Sequence, residues 1–304
     1  MKSDRAPHIY IVGQTASGKT GLSLSLADHF GSEILNTDSL MFYKDLSIGT
    51  AKPTKEELRT IKHHMVDVCD VGEDINAADY ALKAAFILES SKKTFFCVGG
   101  SGFYIDALDK GLLPLPETDP LVIEKVNEIR DPVLELESVD PESFNSIAKE
   151  DLYRVKRALQ VFHQTKIPLS QWKSENILHP YAKKIALHLE RDELLKRVTK
   201  RTDLMLKDSG LIDEVREVVK NPKSTPWRPL GSVGYKQTLE YLNGDIESLE
   251  ELKEKIVTKT MQLAKRQKTW FKKDKTVKWF SGDQPLLEIK EYILKLWETD
   301  KWRV

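Results

Sequence analysis

The sequence predicts an α/β protein, a parallel sheet flanked by helices and interrupted by an inserted all-helical domain, on three observations. The apolar run Ile9-Tyr10-Ile11-Val12 leads into Gly13-Gln14-Thr15-Ala16-Ser17-Gly18-Lys19-Thr20 and then a helical pattern at Leu22, Leu26, Ala27 and Phe30. That is the strand-turn-helix context in which G-x-x-x-x-G-K-[ST] is a phosphate loop (P-loop). Three further short apolar runs, at 33–37, 94–98 and 184–189, are separated by helical stretches, the alternation that builds a parallel sheet with helices on its faces. Between the last two runs lies a long tract with no strand-like alternation.

The elements follow in chain order. In the loop, glycines let the backbone curl, N–H groups and the helix N-terminus attract an anion, and Lys19 adds a charge. The Thr20 hydroxyl is placed to touch a magnesium ion. The run 33–37 ends at Asp38-Ser39; residues just past the carboxyl ends of parallel strands line the ligand crevice, so Asp38 is expected beside the loop. Ile48-Gly49-Thr50-Ala51-Lys52-Pro53 marks a connection. Asp74 or Asn76 is a candidate cap for a helix from Ala77 to about Ser91, with Ala77, Ala81, Ala84, Ala85 and Leu88 toward the sheet. The run 94–98 ends in Gly99-Gly100-Ser101-Gly102, a second glycine turn offering close backbone access and a hydroxyl.

Prolines 114, 116 and 120 then punctuate the chain, which sets a core of 1–117 with 183–304 and a helical insertion of 118–182. Asp131-Pro132 and Asp140-Pro141 separate the insertion's helices, one of which spans about Asp151 to Gln164 with Val155, Leu159 and Phe162 inward. His179-Pro180 closes the insertion. Beyond the returning strand, a helix from Asp192 buries Leu195, Val198 and Met205 and stops at Gly210, and another covers 211–220. Ser248 with Glu251 forms a capping box for a long helix to about Lys273. On that helix Leu252, Ile256, Leu263 and Trp270 form an apolar stripe beside Lys255, Lys259, Gln262 and Arg266.

Composition narrows the class. With 304 residues, 40% of them hydrophobic, the chain buries a substantial core in about two domains. No stretch reaches the ~18 apolar residues of a membrane span, and Met1 to Arg5 lacks a signal-peptide core, so cytoplasm is the expected compartment. Cys69 and Cys97 fit neither a disulfide framework nor a zinc pattern and read as buried thiols. The formal net charge is zero, which argues against a uniformly basic nucleic-acid binder. The charge is nevertheless uneven: residues 117–151 carry eleven acids against three bases, and 253–278 carry ten bases against two acids, a local footprint for a polyanion.

A phosphate loop ordinarily belongs to a nucleoside triphosphatase or a small-molecule kinase, which adds a carboxylate at a strand end to hold magnesium. Here the run 94–98 ends in glycines and Ser101, and the acid is Asp38, one strand away. A carboxylate beside a bound pyrophosphate can instead act as general base for an incoming nucleophile. His63-His64, read as adjacent on a helix, point apart and have no evident third metal ligand.

Several blocks together resemble the tRNA dimethylallyltransferase family. They are Gly13 to Thr20, Asp38-Ser39 with Tyr43-Lys44, Ile48 to Pro53, His63-His64, Ala77-Ala78-Asp79, Gly99-Gly100-Ser101 with Tyr104, Val233-Gly234-Tyr235, and Gln262 to Gln267 with Thr269-Trp270. The resemblance implies transfer of a dimethylallyl group from dimethylallyl diphosphate to N6 of adenosine 37 beside the tRNA anticodon, with Mg2+ as cofactor and no ATP. Gly13, Gln14, Thr15, Ala16, Ser17, Gly18, Lys19 and Thr20 would grip the diphosphate, Thr20 also touching the metal, while Asp38, Lys19 and Ser101 would serve catalysis. Ser101 stands where the family usually has threonine, its hydroxyl expected to orient Asp38 or the base. Contacts to tRNA are implied at Asp38, Ser39, Leu40, Met41, Ser101, Tyr153, Arg154, Val155, Lys156, Arg157, Lys265 and Arg266, with Tyr43 or Trp270 as stacking platforms. The target base must leave its stack to be reached. A monomer is expected. Gln14, Met41, Gly231 and Met261 depart from the family pattern. Prenylation of a free adenine nucleotide stays open as a related reaction, as does the kinase reading.

Overall fold

The computed structural model describes residues 8–113, 115–172, 183–283 and 286–298. The chain divides into two compact units, Met1–Asp109 with His179–Val304, and Lys110–Leu178. His179-Pro180 and Pro114 lie outside the described residues.

The larger unit is built on six parallel strands in the order β3-β2-β4-β1-β5-β6. They are β1 (His8–Gly13), β2 (Glu33–Asn36), β3 (His63–His64), β4 (Phe95–Val98), β5 (Lys183–His188) and β6 (Lys278–Ser281). Every residue of β1 and β2 is buried, as befits strands covered on both faces. The two edge strands are absent from the sequence expectation. Two residues are too few to show a period, and Lys278-Trp279-Phe280-Ser281 follows a basic tract that reads as helix. His63-His64 therefore sit on a strand, not a helix: His64 Nε2 lies 2.7 Å from Glu33 Oε2, and His63 Nδ1 lies 2.7 Å from the Ile61 carbonyl.

In the first part of this unit run α1 (Lys19–Phe30), α2 (Lys55–Thr60), α3 (Ala77–Glu89) and α4 (Gly102–Lys110). Asn76 caps α3 by accepting from the Ala78 and Asp79 N–H groups, and Ala77, Ala81, Ala84, Ala85 and Leu88 are buried. Small residues on that face let α3 lie close to its neighbours.

The smaller unit contains α5 (Pro120–Asn127), α6 (Pro132–Val139), α7 (Pro141–Ser146) and α8 (Leu152–Thr165). Asp119, Asp131, Asp140 and Asp151 each cap one of these helices, three of them directly before a proline in the first turn, where the missing N–H costs nothing. Val126, Leu136, Val155, Ala158 and Leu159 form its core.

The larger unit resumes with α9 (Arg191–Leu206), α10 (Gly210–Val218), α11 (Tyr235–Leu242), α12 (Leu249–Lys272) and α13 (Leu286–Glu298). Two boundaries differ from expectation. Gly210 has right-handed helical angles and opens α10, while the break after α9 falls at Asp208, at φ 52°. Within α9, Leu194 is buried and Leu195 is exposed. On α12, Ser248 accepts from the Glu251 N–H, but the Glu251 carboxylate accepts from the Glu247 N–H and not from Ser248. The buried stripe of α12 is Leu252, Ile256, Ala264 and Phe271, with Leu263 and Trp270 half-buried at its margin.

Candidate active site

The phosphate loop runs from the carboxyl end of central β1 into α1. Gly18, at φ 97°, occupies the residue before the helix, a conformation that side-chain-bearing residues rarely adopt. Lys19 Nζ donates to the carbonyls of Gly13 at 3.2 Å and Gln14 at 2.6 Å, so the loop folds around its own ammonium group. Burial lowers the Lys19 pKa to about 8; the negative charge of Asp38 raises it and the Arg201 charge lowers it further. Ser17 Oγ is buried with no hydrogen-bond partner among the described residues. A buried hydroxyl left without a partner is costly, and an incoming phosphate oxygen would satisfy it.

The loop forms one wall of a cavity of about 340 Å³. Asn36 at the end of β2 and Asp38 just beyond it, Thr50, Ala51 and Pro53 from the following connection, and Arg197 and Arg201 from α9 add polar and backbone walls. Ile34, Met41, Val66 and Val98 supply apolar surface, with His63 beside Ile34 in the strand register. The lining thus offers both anion-binding and hydrocarbon-binding surface.

Asp38 is half-buried and caps a short turn, its Oδ1 accepting from the Leu40 N–H at 3.1 Å. Its other carboxylate oxygen makes no hydrogen bond among the described residues. The turn is held from behind, because Asn36 Oδ1 accepts from the Asp38 N–H at 2.9 Å while Asn36 Nδ2 donates to the Met65 carbonyl at 2.8 Å. Gly99 permits this packing: a Cβ there would stand 2.4 Å from Thr37 Oγ1 and 2.7 Å from the Asp38 nitrogen. Ser101 reaches the same turn at the next residue. Its Oγ accepts from the Ser39 N–H at 3.1 Å and lies 3.3 Å from Ser39 Oγ, and it makes no hydrogen bond to Asp38.

Several residues expected at RNA are engaged otherwise. Tyr43 is buried, donates to Asp74 at 2.6 Å and meets the Trp227 ring edge-on, so it is a core residue and not a stacking platform. Trp270 donates its indole N–H to Asp106 at 3.0 Å and its ring lies within 2.4 Å of where a Gly102 Cβ would stand, which fixes it against α4. Val155 lies in the core of the helical unit; the helical period that exposes its neighbours Tyr153 and Arg154 turns it inward. Lys156 donates to Asn127, and Arg157 to Thr118. Lys265 and Arg266 are exposed on α12, Leu40 and Met41 are half-buried, and Met41 lines the cavity.

Residues 41–274 match the family model described as IPP transferase. The chain belongs to that family. A tRNA dimethylallyltransferase of Synechocystis sp. is 37% identical over 97% of this chain and 96% of its own. Another, from Bdellovibrio bacteriovorus, is 37% identical over 94% and 97%. Among solved structures, the tRNA isopentenylpyrophosphate transferase of Bacillus halodurans is 30% identical, covers 98% of this chain and 99% of its own, and has a TM-score of 0.73. A eukaryotic dimethylallyltransferase acting on tRNA has a TM-score of 0.76 at 24% identity and covers 91% of this chain, and it attests the fold alone. Membership of the IPP transferase family makes the protein a prenyl transferase with a P-loop-type parallel sheet.

Three contributors to the site had no role assigned from sequence. Arg197 and Arg201 stand four residues apart on one face of α9 and both line the cavity. Arg201 Nη1 donates to Thr15 Oγ1 at 3.1 Å, whereas Arg197 is also paired with Glu193 and Asp283. Gln267 of α12 accepts from the Thr15 N–H at 2.7 Å. The i, i+4 spacing of the two arginines is visible in the chain, but the surrounding acids and bases of α9 read equally well as a solvated face.

Proposed function

We propose that this member of the IPP transferase family transfers a dimethylallyl group from dimethylallyl diphosphate to N6 of adenosine 37 next to the tRNA anticodon, releasing pyrophosphate. The observation that carries the reading is a cavity lined jointly by the phosphate loop, Asp38 and apolar side chains. The diphosphate would lie against the loop N–H groups, Lys19 and the Ser17 hydroxyl, with the hydrocarbon tail toward the apolar wall. The adenine N6 attacks the allylic carbon as the carbon–oxygen bond to diphosphate breaks. Asp38, through the oxygen not engaged by Leu40, takes the proton that N6 must lose. Positive charge at Lys19 and Arg201 meets the charge that grows on the departing pyrophosphate.

Magnesium fits this site as a companion of the diphosphate. Among the described residues no group of three or more His, Cys, Asp or Glu side chains is placed to hold a metal, and Thr20, half-buried at the start of α1, offers a hydroxyl that makes no hydrogen bond there. When bound, the ion would neutralise phosphate charge, with Thr20 as its protein ligand.

Exposed Tyr153 and Arg154 of the helical unit, and exposed Lys265 and Arg266 of α12, supply an aromatic face and cations for RNA. The remaining contacts of the reading are Ser39, Leu40 and Met41 beside Asp38, together with Ser101. We place the enzyme in the cytoplasm as a monomer; no helix among the described residues is long and apolar enough to cross a membrane. Purified protein with dimethylallyl diphosphate, Mg2+ and unmodified tRNA should yield N6-prenyladenosine by nucleoside mass spectrometry. No product from cognate tRNA, or product from AMP alone, would overturn the assignment.

A further inference from the structure

Arg197 and Arg201 both line the cavity, but they are held in different ways. Arg201 is anchored on the phosphate loop itself, through Thr15 Oγ1. Arg197 is anchored on two carboxylates outside the loop: its Nε donates to Glu193, four residues earlier on α9, at 2.9 Å, and its Nη2 donates to Asp283. Nε and Nη2 share one edge of the planar guanidinium, so two acceptors along that edge fix the plane of the group as well as its place. The remaining nitrogen, Nη1, makes no hydrogen bond among the described residues. It stands 3.9 Å from where a Gly18 Cβ would lie, so the unused donor of Arg197 borders the phosphate loop. Asp283 is seated against the same loop. It follows β6, where the Gly282 N–H donates to the His188 carbonyl at 2.7 Å and the Asp283 N–H donates to Ser281 Oγ at 3.3 Å. A Cβ at Gly282 would stand 2.7 Å from the Ser17 carbonyl oxygen, so the chain after β6 packs directly on the loop backbone.

We infer that Asp283 is a positioning residue for the phosphate site, holding the Arg197 guanidinium with Nη1 toward the diphosphate. The inference rests on the reading of the cavity as a diphosphate site. A half-exposed arginine loses rotamer freedom when an anion orders it, and that cost lowers affinity unless another group has ordered the side chain beforehand. Asp283 supplies that prior order. The two side chains are 34% and 56% exposed, so their ion pair adds little to the stability of the fold. A carboxylate beside an anion site also repels the anion. The charge of Asp283 and its hydrogen bond therefore act on diphosphate affinity in opposite directions, which makes the positioning role separable by substitution.

Asp283→Asn and Asp283→Ala lose the same charge, but only the first keeps an oxygen that accepts from Arg197 Nη2. The test is binding of pyrophosphate to the full chain with Mg2+ by calorimetry, alongside turnover with dimethylallyl diphosphate and tRNA. The Ala variant should bind pyrophosphate about threefold to tenfold more weakly than the Asn variant, the range for one long side chain left for the ligand to order. KM for dimethylallyl diphosphate should differ between the two by the same factor while kcat stays alike, because the Nη1 contact serves ground state and transition state equally. In an Arg197→Ala background the difference should vanish. Thermal melting checks that each variant is folded, and Asp283→Leu, similar in size to Asn and without an acceptor, replaces the Ala variant if that one is not. Equal pyrophosphate affinity of the two variants, tighter binding by the Ala variant, or a difference that survives in the Arg197→Ala background overturns the inference. Normal prenylation with no difference between the variants removes the role of Asp283 alone, whereas the expected difference without prenyl transfer removes the proposed reaction alone.

Discussion

Glu214 offers the most demanding quantitative check on the site. One carboxylate on α10 accepts the Ser47 and Ile48 N–H groups at 2.8 and 2.7 Å, the Gly49 N–H at 3.1 Å and the Tyr235 hydroxyl at 2.6 Å. It thereby ties down the connection whose next residues, Thr50, Ala51 and Pro53, line the cavity. Glu214→Ala strands these four donors unequally. Ser47 and Ile48 are exposed and their N–H groups turn to water, whereas Gly49 is half-buried and Tyr235 is fully buried. Leaving a buried donor unsatisfied costs about 1–3 kcal/mol and a hydratable one a few tenths, so the expected loss of stability is about 3 kcal/mol. Tyr235→Phe removes the hydroxyl's bond to Glu214 and leaves the carboxylate its three N–H partners, for about 1 kcal/mol. Guanidinium unfolding of both single variants and the double variant measures the values and their coupling. Because the released connection is a cavity wall, KM for dimethylallyl diphosphate should rise more than kcat falls. A loss below about 1 kcal/mol for Glu214→Ala, or an unchanged KM, would refute the idea that this carboxylate shapes the cavity.

Four further outcomes are expected. Asp38→Ala should lower kcat by about 10²–10⁴, the range for a lost general base, and near-normal turnover would remove Asp38 from that role. Lys19 has its pKa lowered to about 8, so its charge is present below that pH and lost above it; kcat/KM should fall as pH rises past about 8, and a profile flat to pH ~10 would contradict the assignment. At Glu33, burial raises the pKa, but hydrogen bonds from Lys93 and His64 and the charge of Lys62 outweigh it and hold the carboxyl at about 2. A lowered acid pKa stabilises the fold above the ordinary value near 4.3 and loses that contribution as pH drops toward about 2, so the stability gap between wild type and Glu33→Gln should close over that window in acid titrations. Replacing Lys265 and Arg266 together by Ala should reduce the log–log salt slope of tRNA binding by roughly 0.7–0.9 for every phosphate that the two cations neutralise, and an unchanged slope would place them away from RNA.

The residues that determine local geometry are those whose meaning the sequence carried unaided. Gly13 to Thr20 after an apolar run specifies a strand, a turn and a helix together, because only that arrangement uses the glycines and aims the N–H groups at an anion. The caps Asn76, one of two candidates, and Ser248 were likewise readable, since a cap acts on N–H groups two or three residues away. Asp38 could be placed at the crevice from its position after β2 alone.

What only the tertiary structure decided are the contacts made across long stretches of chain. Gln267 meets Thr15 at a separation of 252 residues, Arg201 meets Thr15 at 186, and Glu214 meets Ser47 at 167. None of these pairings has a period or a spacing, because each depends on which helix packs beside which loop end. The same reason moved Tyr43 and Trp270 from expected RNA platforms into packed positions: an aromatic residue carries no local mark of the side on which its neighbours will close. The sequence by itself determined a glycine-rich loop that runs from the end of a central strand into a helix. The tertiary structure decided which groups surround that loop, because the sheet order brings α9 and α12 against it and with them the side chains that hold its remote end.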